Sequence, residues 1–120
     1  MNRKRILIVN IQSLLIGAAE SLLKNNGDFA VINIYPKDMV TLIREIERAR
    51  PDVIVMDEDT YFIEPMRLFT SLWNIPNIRL IVLNNRRILV NIYDKHERSI
   101  ADPGQLINAI GVDNDVFNID

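Results

Sequence analysis

Three consecutive carboxylates, Asp57, Glu58 and Asp59, follow directly on the apolar run 53–56. An aspartate at such a point commonly caps a turn through backbone hydrogen bonds. Grouped carboxylates can also offer the oxygens that a hard divalent cation takes. The matching positions after the other apolar runs carry no acid: Asn10, Ile11 and Gln12 after the first, Asn84 and Asn85 after the fourth, Ser99 near the end of the last. Other chemistries are poorly supplied. The chain has no cysteine, which excludes disulfide frameworks, thiolate metal sites and cysteine nucleophiles. His96 is its only histidine, so two-histidine metal sites are excluded and a serine triad would depend on it alone. Its neighbours Lys95, Glu97 and Arg98 mark a solvated stretch. The four glycines, Gly17, Gly27, Gly104 and Gly111, fall in no phosphate-loop or dinucleotide spacing. No base, nucleophile and orienting group converge, and the chain is not expected to be an enzyme.

These residues must be held by the elements around them, and short apolar runs alternating with helix-like segments predict parallel strands covered by helices on both faces. Residues 6–9 form the first strand. Ser13 can cap a helix through about Lys24 whose apolar positions are Leu14, Leu15, Ala18, Leu22 and Leu23, and Asn25, Asn26 and Gly27 stop it. Residues 29–35 form the second strand, ended by Pro36. Asp38 then caps a helix to about Arg48 with Met39, Leu42, Ile43 and Ile46 inward, and Pro51 closes that unit. Residues 53–56 are unbroken and mostly β-branched, as suits a central strand buried on both faces. A third helix opens near Glu64 and Pro65, carries Met66, Phe69, Leu72 and Trp73 on its apolar face, and stops at Pro76. Residues 79–83 make a fourth strand, and there the alternation fails. A polar turn over 84–87 leads into residues 88–93, apolar and rich in strand formers, which predicts a hairpin in place of a helix. Were 86–93 helical, the unit would be regular and Lys95 would come into play. A last strand over 96–100 and a short helix capped by Asp102, with Leu106, Ile107 and Ile110 before Gly111, complete the chain.

At 120 residues the chain is expected to form one domain, residues 1–120, able to bury roughly two-thirds of its unfolded surface. Its formal charge of -2, from 14 basic and 16 acidic residues, gives no overall basic footprint for phosphate backbones, so no nucleic-acid partner is expected. The two arginines of the turn, Arg86 and Arg87, with Lys95 and Arg98, make only a modest basic patch. Arg3, Lys4 and Arg5 precede an apolar stretch in the manner of a leader, but Asn10, Gln12 and Ser13 break the run after four residues. No run approaches the length of about 20 residues that spans a bilayer. No membrane partner is expected, and a reducing cytoplasm is the expected location.

The segment Arg50-Pro-Asp-Val-Ile-Val-Met-Asp57 resembles the one in which response-regulator receiver (CheY-like) domains deliver their phosphoaccepting aspartate at the end of an apolar strand. The order of strands and helices is similar over residues 6–110, including the closing Asp102-Pro103 and its helix. The resemblance implies an α/β fold: a doubly wound, flavodoxin-like, open and mostly parallel sheet of five strands with helices on both faces, the fourth helix replaced by the β-hairpin. It also implies that Asp57 is the phosphoacceptor-like residue, a nucleophile toward a phosphoryl group whose charge needs a cation. The family's helpers are missing. Its acidic pair after the first strand falls on Asn10 and Ile11. Its switch hydroxyl after the fourth falls on Asn84. Its lysine, counted back from Asp102, falls on Ser99, with Lys95 and Arg98 nearby. Any metal site would be weak and built on Asp57 and Asp59, with Glu58 as a further oxygen source. No cofactor is therefore expected beyond weakly held Mg²⁺.

The function implied is that of an atypical, degenerate receiver in two-component (phosphorelay) signal transduction, acting through a protein partner with weak or no Mg-dependent phosphorylation at Asp57. The apolar strand over 88–92 would form an edge guarded by Arg86, Arg87, Lys95 and Glu97, and homodimerisation through the 86–100 region is expected there. The alternative is a small-ligand-binding α/β domain whose crevice at the strand ends is lined by the neutral groups of Asn10, Asn84 and Ser99.

Overall fold

The computed structural model describes residues 3–75, 77–84, 89–94 and 98–101. Its strands are β1 (Lys4–Val9), β2 (Phe29–Ile34), β3 (Val53–Asp57), β4 (Arg79–Asn84), β5 (Leu89–Tyr93) and β6 (Arg98–Ala101), and its helices are α1 (Leu14–Lys24), α2 (Met39–Ala49) and α3 (Pro65–Ser71). One sheet holds all six strands in the order β2-β1-β3-β4-β5-β6. The first four are parallel, with β1 between β2 and β3 and with β4 beyond β3. The expected hairpin is present and raises the strand count from five to six. β5 runs antiparallel to β4 and pairs Leu80 with Tyr93 and Asn84 with Leu89, and β6 turns back antiparallel to β5. The expected closing helix from Asp102 lies outside the described residues, as do Lys95 and His96.

The strands make two cores because side chains alternate across a sheet. On one face, Ile6, Ile8, Val53, Val55, Ile81 and Leu83 meet Ile16, Ala19 and Leu23 of α1. On the other, Leu7, Val9, Ile54, Met56, Leu80 and Val82 meet Leu42 and Ile46 of α2 and Leu68 and Phe69 of α3. Every residue of β3 is buried, as a central strand flanked by both layers requires.

Two helix faces differ from those expected. In α1 the buried residues are Ile16, Ala19 and Leu23, while Leu14 is 96 % exposed and Leu22 is exposed as well. The helix is apolar nearly all round, so a stripe through Leu14, Ala18 and Leu22 and one through Ile16, Ala19 and Leu23 satisfy helical periodicity equally. Only the position of the sheet chooses between them. In α3 Leu68 and Phe69 are buried, with Leu72 just beyond the helix, while Met66 and Trp73 face outward. Trp73 instead stands edge-on to Phe69, whose ring also meets Tyr93 of β5.

The helix starts follow local chemistry. Ser13 and Asp38 accept from the backbone N–H of Ile16 and Thr41 and so cap α1 and α2, as expected, and Pro65 opens α3 at a position that needs no donor. The hairpin is tied to the parallel sheet by an ion pair, Arg79 to Asp94 at 3.6 Å, whose side chains are only 14 % and 13 % exposed. Removing one side of a nearly buried ion pair is costly. Asp94→Ala is expected to lower unfolding stability by about 2 kcal/mol, between the values for surface and buried pairs, as read from the urea midpoint.

Candidate functional site

In this strand order the chain reverses direction across the sheet between β1 and β3, and groups beyond their carboxyl ends share one crevice. The β1–α1 loop, residues 10–13, and the turn after β3, residues 57–60, face each other there. Asp57 is the last residue of β3 and is 2 % exposed. A buried carboxylate must be hydrogen-bonded, and this one is, at both oxygens. Oδ1 accepts the backbone N–H of Asp59 at 2.8 Å. Oδ2 accepts the Ser13 hydroxyl at 2.8 Å, and the same Ser13 oxygen takes the Ile16 N–H at 3.1 Å. The Asp57 carbonyl is taken by the turn itself, from the Thr60 N–H at 3.0 Å and the Thr60 hydroxyl at 2.7 Å.

The other expected residues stand apart from this carboxylate. Asn10 is 8 % exposed but turns toward β2 and α1. Its Nδ2 donates to Asn33 Oδ1 at 3.0 Å and lies 3.5 Å from Glu20 Oε1, and its Oδ1 accepts the Gln12 N–H at 2.7 Å. Asn33 donates in turn to Glu20 Oε2 at 2.8 Å, and Lys24 pairs with the same oxygen at 2.7 Å. Ile11 packs against the α1-side core. Glu58 and Asp59 are exposed, so Asp59 meets Asp57 through its backbone and not its carboxylate. Asn84 ends β4, half-buried, one residue beyond the Leu83 that pairs with Asp57. Ser99 lies opposite Ile92, which is opposite Ile81, which is opposite Val55. Three strand spacings, about 14 Å, therefore separate Ser99 from β3, because β5 stands between β4 and β6. The neutral groups Asn10, Asn84 and Ser99 thus do not gather around one point.

A divalent cation is the group this fold would call for, and the residues do not fit it. Both Asp57 oxygens are already bonded, Asn10 and Ile11 face elsewhere, and among the described residues no three of His, Cys, Asp or Glu are grouped to hold a metal. Hard cations take six or more oxygens, several from carboxylates or water, and no second and third carboxylate gather beside Asp57 among the described residues.

Sequence reasoning took Ser13 only as a helix cap and passed over Glu20 and Asn33. A signal was available for Asn33: an amide in the middle of an otherwise apolar strand needs a buried partner. The network it enters has a charge signature. The Lys24 ammonium bonded to Glu20, and more weakly the amides of Asn33 and Asn10, hold the Glu20 carboxyl below its ordinary value of 4.5, while Glu20 raises Lys24 above 10.5. A depressed carboxyl contributes stability above its unfolded value, and that contribution is lost as pH falls through the folded one. The urea midpoint is therefore expected to drop as pH falls below the ordinary carboxyl value of 4.5, and Glu20→Gln should shrink that drop. Asp38, held low by the Thr41 N–H, adds to the same acid limb and should remain in the variant.

No family model and no curated protein matches the chain. Among solved structures it is similar to the signal receiver domain of the response regulator NarL from Mycobacterium tuberculosis. The two share 14 % sequence identity over 91 % of this chain and 77 % of that one, with a TM-score of 0.60. At that identity the likeness carries the fold: the chain has a receiver fold, with α1 on one face of the parallel strands and α2 and α3 on the other.

Proposed function

We propose that this chain is an atypical, degenerate receiver domain of two-component (phosphorelay) signal transduction, a non-enzymatic module that works in the cytoplasm by contact with a protein partner. Its phosphorylation at Asp57 is weak or absent and any Mg²⁺ is held loosely. The observation that carries this reading is the state of Asp57. The residue ends β3 of a receiver fold, where the sequence resemblance puts the family's phosphoacceptor, and it is buried with both oxygens hydrogen-bonded. The two donors hold the carboxylate in place and draw on its charge, while a developing phosphoryl charge needs a cation, for which no group of three acids stands ready among the described residues. Among the described residues no helix is long and apolar enough to cross a membrane, which agrees with a module that signals by protein contact. The near-neutral charge gives nucleic acid no purchase.

Contact through a second copy is part of the proposal. The strand expected to form the edge over 88–92 is paired on both sides, as β5 between β4 and β6, and the edge among the described residues is β6, Arg98–Ala101, where a strand of a second copy would add. Homodimerisation through the 86–100 region should appear as a concentration-dependent rise in sedimentation coefficient, and a strict monomer at high concentration removes it. Incubation with acetyl phosphate and millimolar Mg²⁺, followed by intact mass, should leave most of the protein unmodified. Stoichiometric addition that vanishes in Asp57→Asn would instead make the domain an efficient phosphorylation switch.

A further inference from the structure

The β1–α1 loop closes on Asp57 through one side chain. Ser13 Oγ donates to Asp57 Oδ2 at 2.8 Å and accepts from the Ile16 N–H at 3.1 Å, so one hydroxyl in one rotamer both covers the carboxylate and caps α1. Just before it, Gln12 is held at φ 62, a left-handed conformation that is strained for a residue with a side chain. Asn10 Oδ1 fixes the Gln12 N–H at 2.7 Å, and Asn10 itself is anchored to Asn33 of β2. The loop thus has one anchor on β2, another on β3 and a strained residue between them.

We propose that Ser13 gates the Asp57 carboxylate: a group that pushes the Ser13 Oγ off Oδ2 also moves the oxygen that caps α1, so occupancy of Asp57 is read out at the start of that helix. What occupies Asp57 rests on the receiver reading above; the coupling itself does not. The physical reason is geometric. The hydroxyl has one proton, and while it points at Asp57 the oxygen's lone pairs face the Ile16 N–H. Turning the O–H alone leaves Oγ in place, but pushing Oγ off Oδ2 turns the side chain about Cα–Cβ and takes the oxygen away from Ile16, and the cap is lost with it. The bond to the carboxylate also polarises the hydroxyl and makes it a better acceptor for Ile16. Other restraints act on this turn, since Ile16 is buried in the core and the Gly17 N–H bonds the Ser13 carbonyl, so loss of the cap loosens the turn without unfolding the helix. By reciprocity, whatever weakens the cap makes Asp57 more available by the same factor. The family's switch hydroxyl position holds Asn84, and the hydroxyl that touches the Asp57 carboxylate belongs to α1. The signal path accordingly leaves the site by that helix.

The test is amide hydrogen exchange, read by NMR and without any phosphodonor, on the wild-type protein, Asp57→Ala, Ser13→Ala and the double variant. Losing the fixed cap is expected to speed exchange at Ile16 and Gly17 about fivefold in Asp57→Ala. In the Ser13→Ala background the Asp57 change should add less than about twofold. Ser13→Thr, which keeps the hydroxyl, should stay near wild type. Unchanged exchange in Asp57→Ala, or equal acceleration in both backgrounds, overturns the gate. Slow exchange at Ile54 and Val55 reports that a variant is folded, and Asp57→Asn replaces Asp57→Ala if it is not. A protein that ignores acetyl phosphate but shows the coupling keeps the gate and loses only the phosphoacceptor role.

Discussion

The cost of burying a carboxylate governs the organisation of this domain's functional end. Asp57 closes a strand that is covered on both faces, so water cannot solvate it, and an unpaired charge in such a place would be heavily penalised. The chain meets that demand with neutral donors, a hydroxyl and a backbone N–H, where a metal or an ammonium group might have served. From that choice follow the conformation of the turn after β3, the position of the β1–α1 loop and the register of α1's first turn. Carboxylates with strong local donors are satisfied; they are also less free to react.

Asn10 is the counterpart on the other side of the crevice. An acid at the end of β1 would sit beside Asp57 and require a cation to relieve the repulsion. The amide has no charge to relieve. It is drawn instead into hydrogen bonds with Asn33 and lies near Glu20, and it binds the loop to the β2 edge of the sheet. The two ends of the crevice are therefore stitched in opposite directions, one toward β3 and one toward β2. The receiver fold is kept with an amide bonded in this way, as the likeness in fold to the NarL receiver domain at 14 % identity shows.

The inserted strand changes the other half of the sheet. With β5 placed antiparallel beside β4, the backbone of β6 lies one strand spacing, about 5 Å, further from β3 than a direct neighbour of β4 would. The Arg79–Asp94 pair and the Phe69–Tyr93 contact hold this addition to the parallel body. What the hairpin adds is an altered edge.

Much of this was determined by the sequence alone. Unbroken β-branched runs named the parallel strands, Ser13, Asp38 and Pro65 named the helix starts, and the strand-forming residues over 88–93 named the hairpin, because each signal is local: a turn, a cap or a run carries its own physics. The absence of acids at Asn10 and Ile11 was equally legible. Tertiary structure alone decided which stripe of the nearly all-apolar α1 faces the sheet, since two stripes fit the same period and only the β1–β3 surface selects Ile16, Ala19 and Leu23. It alone decided that Ser13 bonds Asp57 across 44 positions of sequence and that Asn10 turns to Asn33. A hydroxyl's capping role can be read from the next three residues; its second partner depends on which strands become neighbours, and no local pattern encodes that.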